Sequence, residues 1–261
     1  METKLSRPDG PSKAWRDAAF GSPPLRNVKT KSKSTTRTPH RSQQHGISTL
    51  YAEGNNELCC LRLLEHLWRC RLVKRFNSQA IDLGEMGGPK DHIIDLLVEL
   101  IDGSVHAIQV KSKRFLTTEV LAVLDMEREF LEPRGFNFHI WTNRDSLGPP
   151  TSHSVNQIDR GFRFPAEQSI LNLIGQRAQE DASTLQPLLL EFGWDDVMSA
   201  AAHLKFHIDI TKEINENTPV YKNLPINYYS FLFKGRNDSR NWWDSLAPAK
   251  AEEWFGSNSE Y

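Results

Sequence analysis

Cysteine is scarce: 261 residues contain three, and Cys59, Cys60 and Cys70 lack the paired spacing of a zinc site. The plain expectation is three reduced, buried and inert thiols. Long apolar runs are missing too. No stretch approaches the 18 or so uncharged apolar residues of a membrane span, and the first residues carry no apolar core of a signal peptide. These absences speak against secretion and against a membrane partner, and the expected setting is the cytoplasm. Net charge is small as well, −1 at pH 7, but it hides an asymmetry. Residues 1–48 hold ten Lys/Arg against three acids (Glu2, Asp9 and Asp17), while the remaining 22 Lys/Arg face 30 Asp/Glu. A basic arm precedes an acidic body.

Hydrophobic residues make up 38% of the chain and charged residues 25%, enough for one large domain or two small ones with their own cores. Residues 1–48 are the exception. Rich in Lys, Arg, Ser, Thr and Pro and poor in aliphatics, they cannot bury enough surface to offset the entropy of ordering. The segment reads as a disordered basic arm. Its charge has two readings: a solvated tail without a role, or contact with a phosphate backbone. In the second, each Lys or Arg that releases counterions adds salt-dependent affinity without sequence preference.

Residues 49–145 read as an α/β domain. The segment "GNNELCCLRLLEHLWRC" (54–70) predicts a helix capped by Asn55 or Asn56, with Leu58, Leu61, Leu64 and Leu67 near helical spacing. Short extended segments at 71–76 and 79–83 flank a turn, and the glycine-rich loop 84–90 leads into a strand at 92–100. Asp102-Gly103 is a tight-turn signal that pairs this strand with 104–111. An amphipathic helix follows at 117–132, opened by Thr117/Thr118, and then a buried strand at 136–142. The order is α-β-β-β-β-α-β, a mixed sheet flanked by helices. The Gly/Pro/Ser-rich stretch 146–154 marks a domain boundary. Beyond it, helical patterns at 165–178, 183–191 and 194–203 precede extended pieces at 206–210 and 218–222. Three helices and a hairpin over 155–222 outline a small, mainly helical, winged-helix-like domain. Residues 223–261 form an aromatic-rich tail, with Trp242, Trp243 and Trp254, that wraps the body or binds a partner.

The middle of the first domain carries the chemistry. Asp95 interrupts the apolar run Ile93, Ile94, Leu96, Leu97, where a purely structural strand would carry an aliphatic residue. Gln109 and Lys111 are two apart and share one face of the next strand. A lone Lys there wants an anionic companion, because burying an unpaired ammonium is costly. Asp95 and a phosphate both qualify; an exposed sheet edge carrying Lys111 and Lys113 is the plainer alternative. Carboxylate, amide oxygen and the Val110 carbonyl are oxygen ligands of the kind Mg²⁺ takes while keeping several waters. A metal, an activated water and charge compensation are what phosphodiester hydrolysis needs. A further acid is expected from the preceding helix, with Glu57 in its first turn favoured over Glu65. His66 and His92 are candidate general bases, against the commoner reading of each as a satisfied structural group.

Glu57 on a helix, Asp95 on a strand and Gln109-Val110-Lys111 across a hairpin, followed by a helix and the strand "FNFHIWT", resemble the PD-(D/E)xK nuclease superfamily, with its restriction-endonuclease-like fold. More narrowly the pattern resembles the TnsA-type endonuclease subunit of heteromeric, Tn-seven-like transposons, which carry Gln-x-Lys where an acid-x-Lys is commoner. The resemblance spans roughly residues 50–215 and is concentrated in the hairpin, where Ile94 stands in place of the usual Pro. It implies that Glu57 and Asp95 bind Mg²⁺, with Mn²⁺ as a substitute, that Gln109 completes the site, and that Lys111 orients or activates the attacking water. It further implies double-stranded transposon-end DNA as substrate, cut on the 5′ strands. A DDE-type transposase and an AAA+ ATPase regulator are the implied partners, in a bacterial, nucleoid-associated setting. An amide at 109 leaves Glu57 and Asp95 as the expected acidic ligands, so metal affinity should be modest until a DNA phosphate adds an anionic oxygen. The acidic body lacks the basicity of a free-standing DNA enzyme. Two alternatives stand beside this reading: an independent restriction or repair nuclease, and a non-catalytic DNA-binding assembly subunit of the same fold.

Overall fold

A computed structural model describes residues 11–21, 38–43, 49–143, 149–180 and 182–224. Its first element lies inside the segment expected to be disordered. Helix α1 (Lys13–Gly21) buries Ala19 and Phe20, and its Trp15 meets Phe136 edge-on with ring centroids 5.1 Å apart. A short strand, β1 (Thr38–Arg41), then pairs antiparallel with β2 (Thr49–Ala52). The expectation of disorder is therefore corrected for 11–21 and 38–43; residues 1–10, 22–37 and 44–48 lie outside the described residues. Average composition missed α1 because three apolar side chains suffice once an existing sheet face receives them.

Helix α2 (Asn55–Arg69) lays its leucine stripe on one face of a four-stranded sheet, with Leu61, Leu63, Leu64 and Leu67 fully buried. The sheet runs β3-β4-β5-β6 in space, from β3 (Val73–Asp82), β4 (Ile93–Leu100), β5 (Val105–Lys111) and β6 (Phe136–Thr142). The first three strands are antiparallel neighbours; β6 joins β5 in parallel after the crossover helix α3 (Thr118–Leu131). The opposite face is covered by α3 and α1, whose Leu124, Leu131 and Phe20 pack with Ile94, Leu97 and Ala107. This is a mixed α/β architecture with β4 and β5 at the centre of the sheet.

Two expected boundaries move. The segments 71–76 and 79–83 are one strand, β3, rather than two around a turn. Asn77 and Ser78 look like turn residues but are buried, and the Asn77 amide donates to the Ala19 carbonyl at 3.0 Å. The supposed turn is regular strand, paired with Leu97 and Leu96, and a bulge follows it between Ser78 and Ile81. The linker at 146–154 gives way to α4 (Pro149–Arg163), which begins at the Pro-Pro pair. Proline is accepted in a helix's first turn, where its missing N–H has no partner to lose. One apolar cluster then runs from the α2 leucines through Val155 and Ile158 into α5 (Gln168–Glu180), α6 (Gln186–Phe192) and α7 (Trp194–Ala202). Among the described residues, no break in the core marks the expected boundary.

Beyond α7 the expected hairpin reduces, among the described residues, to one isolated bridge, His207–Tyr221, while Pro219 bridges to Thr184 instead. Val220 and Leu224 still pack on the core, whereas the tail from 225 onward lies outside the described residues. No helix among the described residues is long and apolar enough to cross a membrane. Gly161 sets the approach of α4 to α7: a Cβ there would stand 2.7 Å from the Met198 carbonyl carbon and oxygen. Backbone cannot step aside as a side-chain tip can. Gly161→Ala is therefore expected to lose about 3 kcal/mol of stability, read as a lower urea midpoint at unchanged slope.

Candidate active site

Turn chemistry closes the central hairpin. Gly103 takes φ +85°, and the Asp102 carboxylate accepts from the Ser104 N–H at 2.9 Å. The β4–β5 ladder runs from Glu99–Val105 to Leu96–Ile108. Past that point the Val110 N–H donates to Asp95 Oδ2 at 2.8 Å instead of to a β4 carbonyl. Strand β5 can let go of β4 there because its other edge stays paired with β6 through Lys111–Thr142. In an extended strand a residue's C=O lies on the same edge as its N–H, so the Val110 carbonyl borders the opening beside Asp95.

Into this opening Lys111 sends its ammonium, 3.2 Å from Asp95 Oδ2 and 3.0 Å from Gln109 Oε1. The Gln109 amide is held at both ends, since Oε1 accepts from Lys111 while Nε2 donates to Glu127 Oε2 at 2.9 Å and to the Ile93 carbonyl at 3.3 Å. The other Glu127 oxygen lies 2.9 Å from His92 Nδ1. Asp95, Gln109, Lys111, His92 and Glu127 line one cavity of about 350 Å³, floored by Val120 and Leu124 of α3.

Glu57 approaches Asp95 from α2, close enough for each charge to bear on the other, without lining that cavity. The helix starts at Gly54 with no side-chain cap, so neither Asn55 nor Asn56 serves as expected. Glu57 reaches back instead, and its Oε2 accepts from the Glu53 N–H at 2.8 Å. The bond falls one residue before the N-cap Gly54, so it ties the chain entry to the first turn without being a capping box. Burial, and next the negative charge of Asp95, push the Glu57 carboxyl up to about 7, with the Lys111 ammonium opposing. The structure thus brings Glu57, Asp95, Gln109, Val110 and Lys111 to one end of the β4–β5 hairpin.

Other candidates fall elsewhere. Glu65 faces the β1 segment, accepting from Ser42 Oγ at 2.8 Å and the Gln43 N–H at 3.1 Å, beside His40 at 3.6 Å. It anchors that segment to α2. His66 is fully inside the core near the far end of α2, 3.5 Å from Cys70 Sγ, and burial pushes it down to about 3. It stays neutral at physiological pH and belongs to the packing. The cysteines are all free thiols, and burial pushes Cys59 up to about 11 and Cys70 up to about 12.

Glu127 is the residue that sequence reasoning missed. Its signal was present: with Leu124 and Leu131 it occupies the buried face of α3, an acid in the middle of an apolar stripe. Beside the two expected acidic ligands, Glu57 and Asp95, the structure adds Glu127, directly behind Gln109.

The donor set fits a hard divalent cation. It consists of two carboxylates, an amide oxygen and a main-chain carbonyl, and an ammonium already bridges two of those oxygens. Such a cation would also offset the burial and the repulsion that raise Glu57 to about 7. Among the described residues, no group of three or more His, Cys, Asp or Glu side chains is placed to hold a metal. Any cation here would thus depend on amide, carbonyl and water oxygens. No family model matches this chain, and no curated protein matches it.

Proposed function

We propose that this chain is a Mg²⁺-dependent DNA endonuclease, acting as the strand-cleaving subunit of a transposase that cuts the 5′ strands at transposon ends during cut-and-paste transposition. One observation carries the reading: Asp95 and Lys111, 3.2 Å apart on adjacent central strands, open onto a cavity shared with Gln109, with Glu57 at the helix entry. The TnsA-type and restriction-endonuclease-like resemblance, and the winged-helix-like reading of the helices after 155, belong to this proposal.

Glu57, Asp95, Gln109 and the Val110 carbonyl would hold the Mg²⁺, which supplies charge neutralisation at the scissile phosphate. Lys111 is already oriented by two acceptors and meets the water or the phosphate at the cavity mouth. Glu127 fixes the Gln109 amide so that its oxygen, and not its NH₂, faces Lys111. Water adds to phosphorus, the bond to the 3′ oxygen breaks, and the water's proton balances the one gained by the leaving oxygen. The products are a 3′-hydroxyl and a 5′-phosphate. With Glu57 raised to about 7, cation binding competes with a proton at neutral pH. A DNA phosphate presented by a DDE-type transposase, under an AAA+ ATPase regulator, would tip that competition. Partner dependence follows from the same electrostatics.

The test is cleavage of transposon-end duplex by the full chain in Mg²⁺, with and without the transposase. Cutting only in the partner's presence, lost at least a thousandfold in Asp95→Ala, is the expected result (about 4 kcal/mol of transition-state stabilisation). Full-rate cutting alone would make it a free-standing nuclease. Unchanged cutting by the assembly carrying Asp95→Ala would make this chain a non-catalytic subunit.

A further inference from the structure

The bulge in β3 stands opposite the candidate nuclease centre. Ser78 pairs with Leu96 and Ile81 with Ile94, so β3 takes three steps where β4 takes two, and the extra residue falls across from Asp95. The inserted residue turns the strand over. Phe76 packs with the α2 leucines, while Ala80, an even four residues on, packs on the α3 side. The residue at the bulge is Gln79, at φ +51° and only 3% exposed.

Left-handed backbone in a bulge is ordinarily given to glycine, or to asparagine, because other L side chains clash there. Such an outlier persists only when its surroundings hold it, and outliers of this kind gather at functional sites. What holds Gln79 is visible. Its amide Nε2 donates to Glu53 Oε1 at 3.1 Å, and the Glu53 N–H in turn donates to Glu57 Oε2 at 2.8 Å. Glycine would relieve the backbone but offer no amide. Asparagine would tolerate the backbone but is one methylene shorter.

We propose that Gln79 is a positioning residue: its bulged, left-handed backbone aims the side-chain amide at Glu53, which holds the Glu53 N–H against Glu57 and so fixes that carboxylate opposite Asp95. The inference rests on the nuclease reading and adds a support that composition and spacing do not reveal. If Gln79 merely filled space or satisfied Glu53, removing its amide would leave the rate alone.

The experiment uses the full chain with transposon-end duplex, the transposase and Mg²⁺, measuring kcat and KM for DNA together with Tm with and without Mg²⁺. Gln79→Gly is expected to melt at or above wild type while kcat falls about tenfold and KM for DNA holds, the mark of lost positioning. The reciprocal swap Gln79→Glu with Glu53→Gln keeps donor and acceptor facing each other. It is expected to return kcat to within about threefold of wild type, although each single change is impaired. Wild-type kcat in Gln79→Gly overturns the proposal. A lower Tm in that variant overturns the strained-anchor argument, and a swap that folds but stays impaired overturns the Glu53 route. Should wild type cut nothing, the nuclease reading falls by itself. The Mg²⁺-induced rise in Tm then decides the positioning role: a rise in wild type that Gln79→Gly loses upholds it, and equal rises or none overturn it.

Discussion

Gln109→Glu is expected to inactivate the site and to make the fold sensitive to alkaline pH, and adding Glu127→Gln to the same chain is expected to restore both. The Gln109 amide donates to Glu127 Oε2 at 2.9 Å, and Glu127 is only 3% exposed. A second carboxylate in that position removes the donor and sets two buried negative charges against each other. Like charges this close cannot both ionise, so one acid keeps its proton in the folded chain. An acid whose folded pKa is raised binds more protons folded than unfolded. Stability then falls as pH climbs from the ordinary carboxylate range through the raised value. The expected loss is about 3 kcal/mol at pH 8 and little at pH 5, where the shared proton replaces the amide hydrogen bond. The double variant puts an acid on β5 and an amide on α3, keeping both the hydrogen bond and the charge count. Urea midpoints at the two pH values and cleavage rates for all four chains complete the cycle. Singles and double that behave additively would show that the 109–127 contact does not explain the amide.

Glu57→Gln is expected to abolish Mg²⁺-dependent cleavage while stabilising the protein at alkaline pH. Burial and the charge of Asp95 raise Glu57 to about 7 in the folded state from an ordinary 4.5. The folded chain therefore holds that proton more tightly than the unfolded chain. Its destabilising effect is absent below about pH 4.5, grows between there and about 7, and is complete above. A displacement of this size is worth roughly 3 kcal/mol at pH 8. Glutamine removes the penalty and still offers an oxygen to the Glu53 N–H, so urea midpoints should separate at pH 8 and converge near pH 4. Mg²⁺ favours the ionised carboxylate, so it should raise the Tm of wild type at pH 8 and leave that of Glu57→Gln nearly unmoved. Equal stability at pH 8 would mean that burial and Asp95 together do not raise Glu57. A Mg²⁺ response surviving the substitution would remove Glu57 from the ligand set.

Both experiments turn on contacts of different legibility. Asp95 in an apolar run, Gln109 and Lys111 at strand spacing, and Glu57 at a helix start are local patterns, readable because side-chain periodicity depends on backbone geometry alone. The Asp102-Gly103 turn and the leucine stripe of α2 are legible for the same reason. Asn77-Ser78 misled because the dipeptide suits a turn when exposed, and whether it is exposed depends on α1, 58 residues earlier. The Pro149-Pro150 pair misled because proline opens a helix as readily as it ends one. Glu127 went unread because an acid on an amphipathic helix acquires meaning only from what the buried face meets.

Taken by itself, the sequence determined the α/β class, the central hairpin and the carboxylate–amide–ammonium set that makes phosphodiester chemistry the reading to test. Only the tertiary structure decided that Glu65 faces the β1 segment, that Glu127 holds the Gln109 amide, and that a bulge at Gln79 faces Asp95. The division has one physical cause. Hydrophobic period and turn propensity act over a few residues and are written in the chain. Protonation, desolvation and amide orientation are set by groups that α2, α3 and β3 bring together from distant positions, and these exist only once the core has packed.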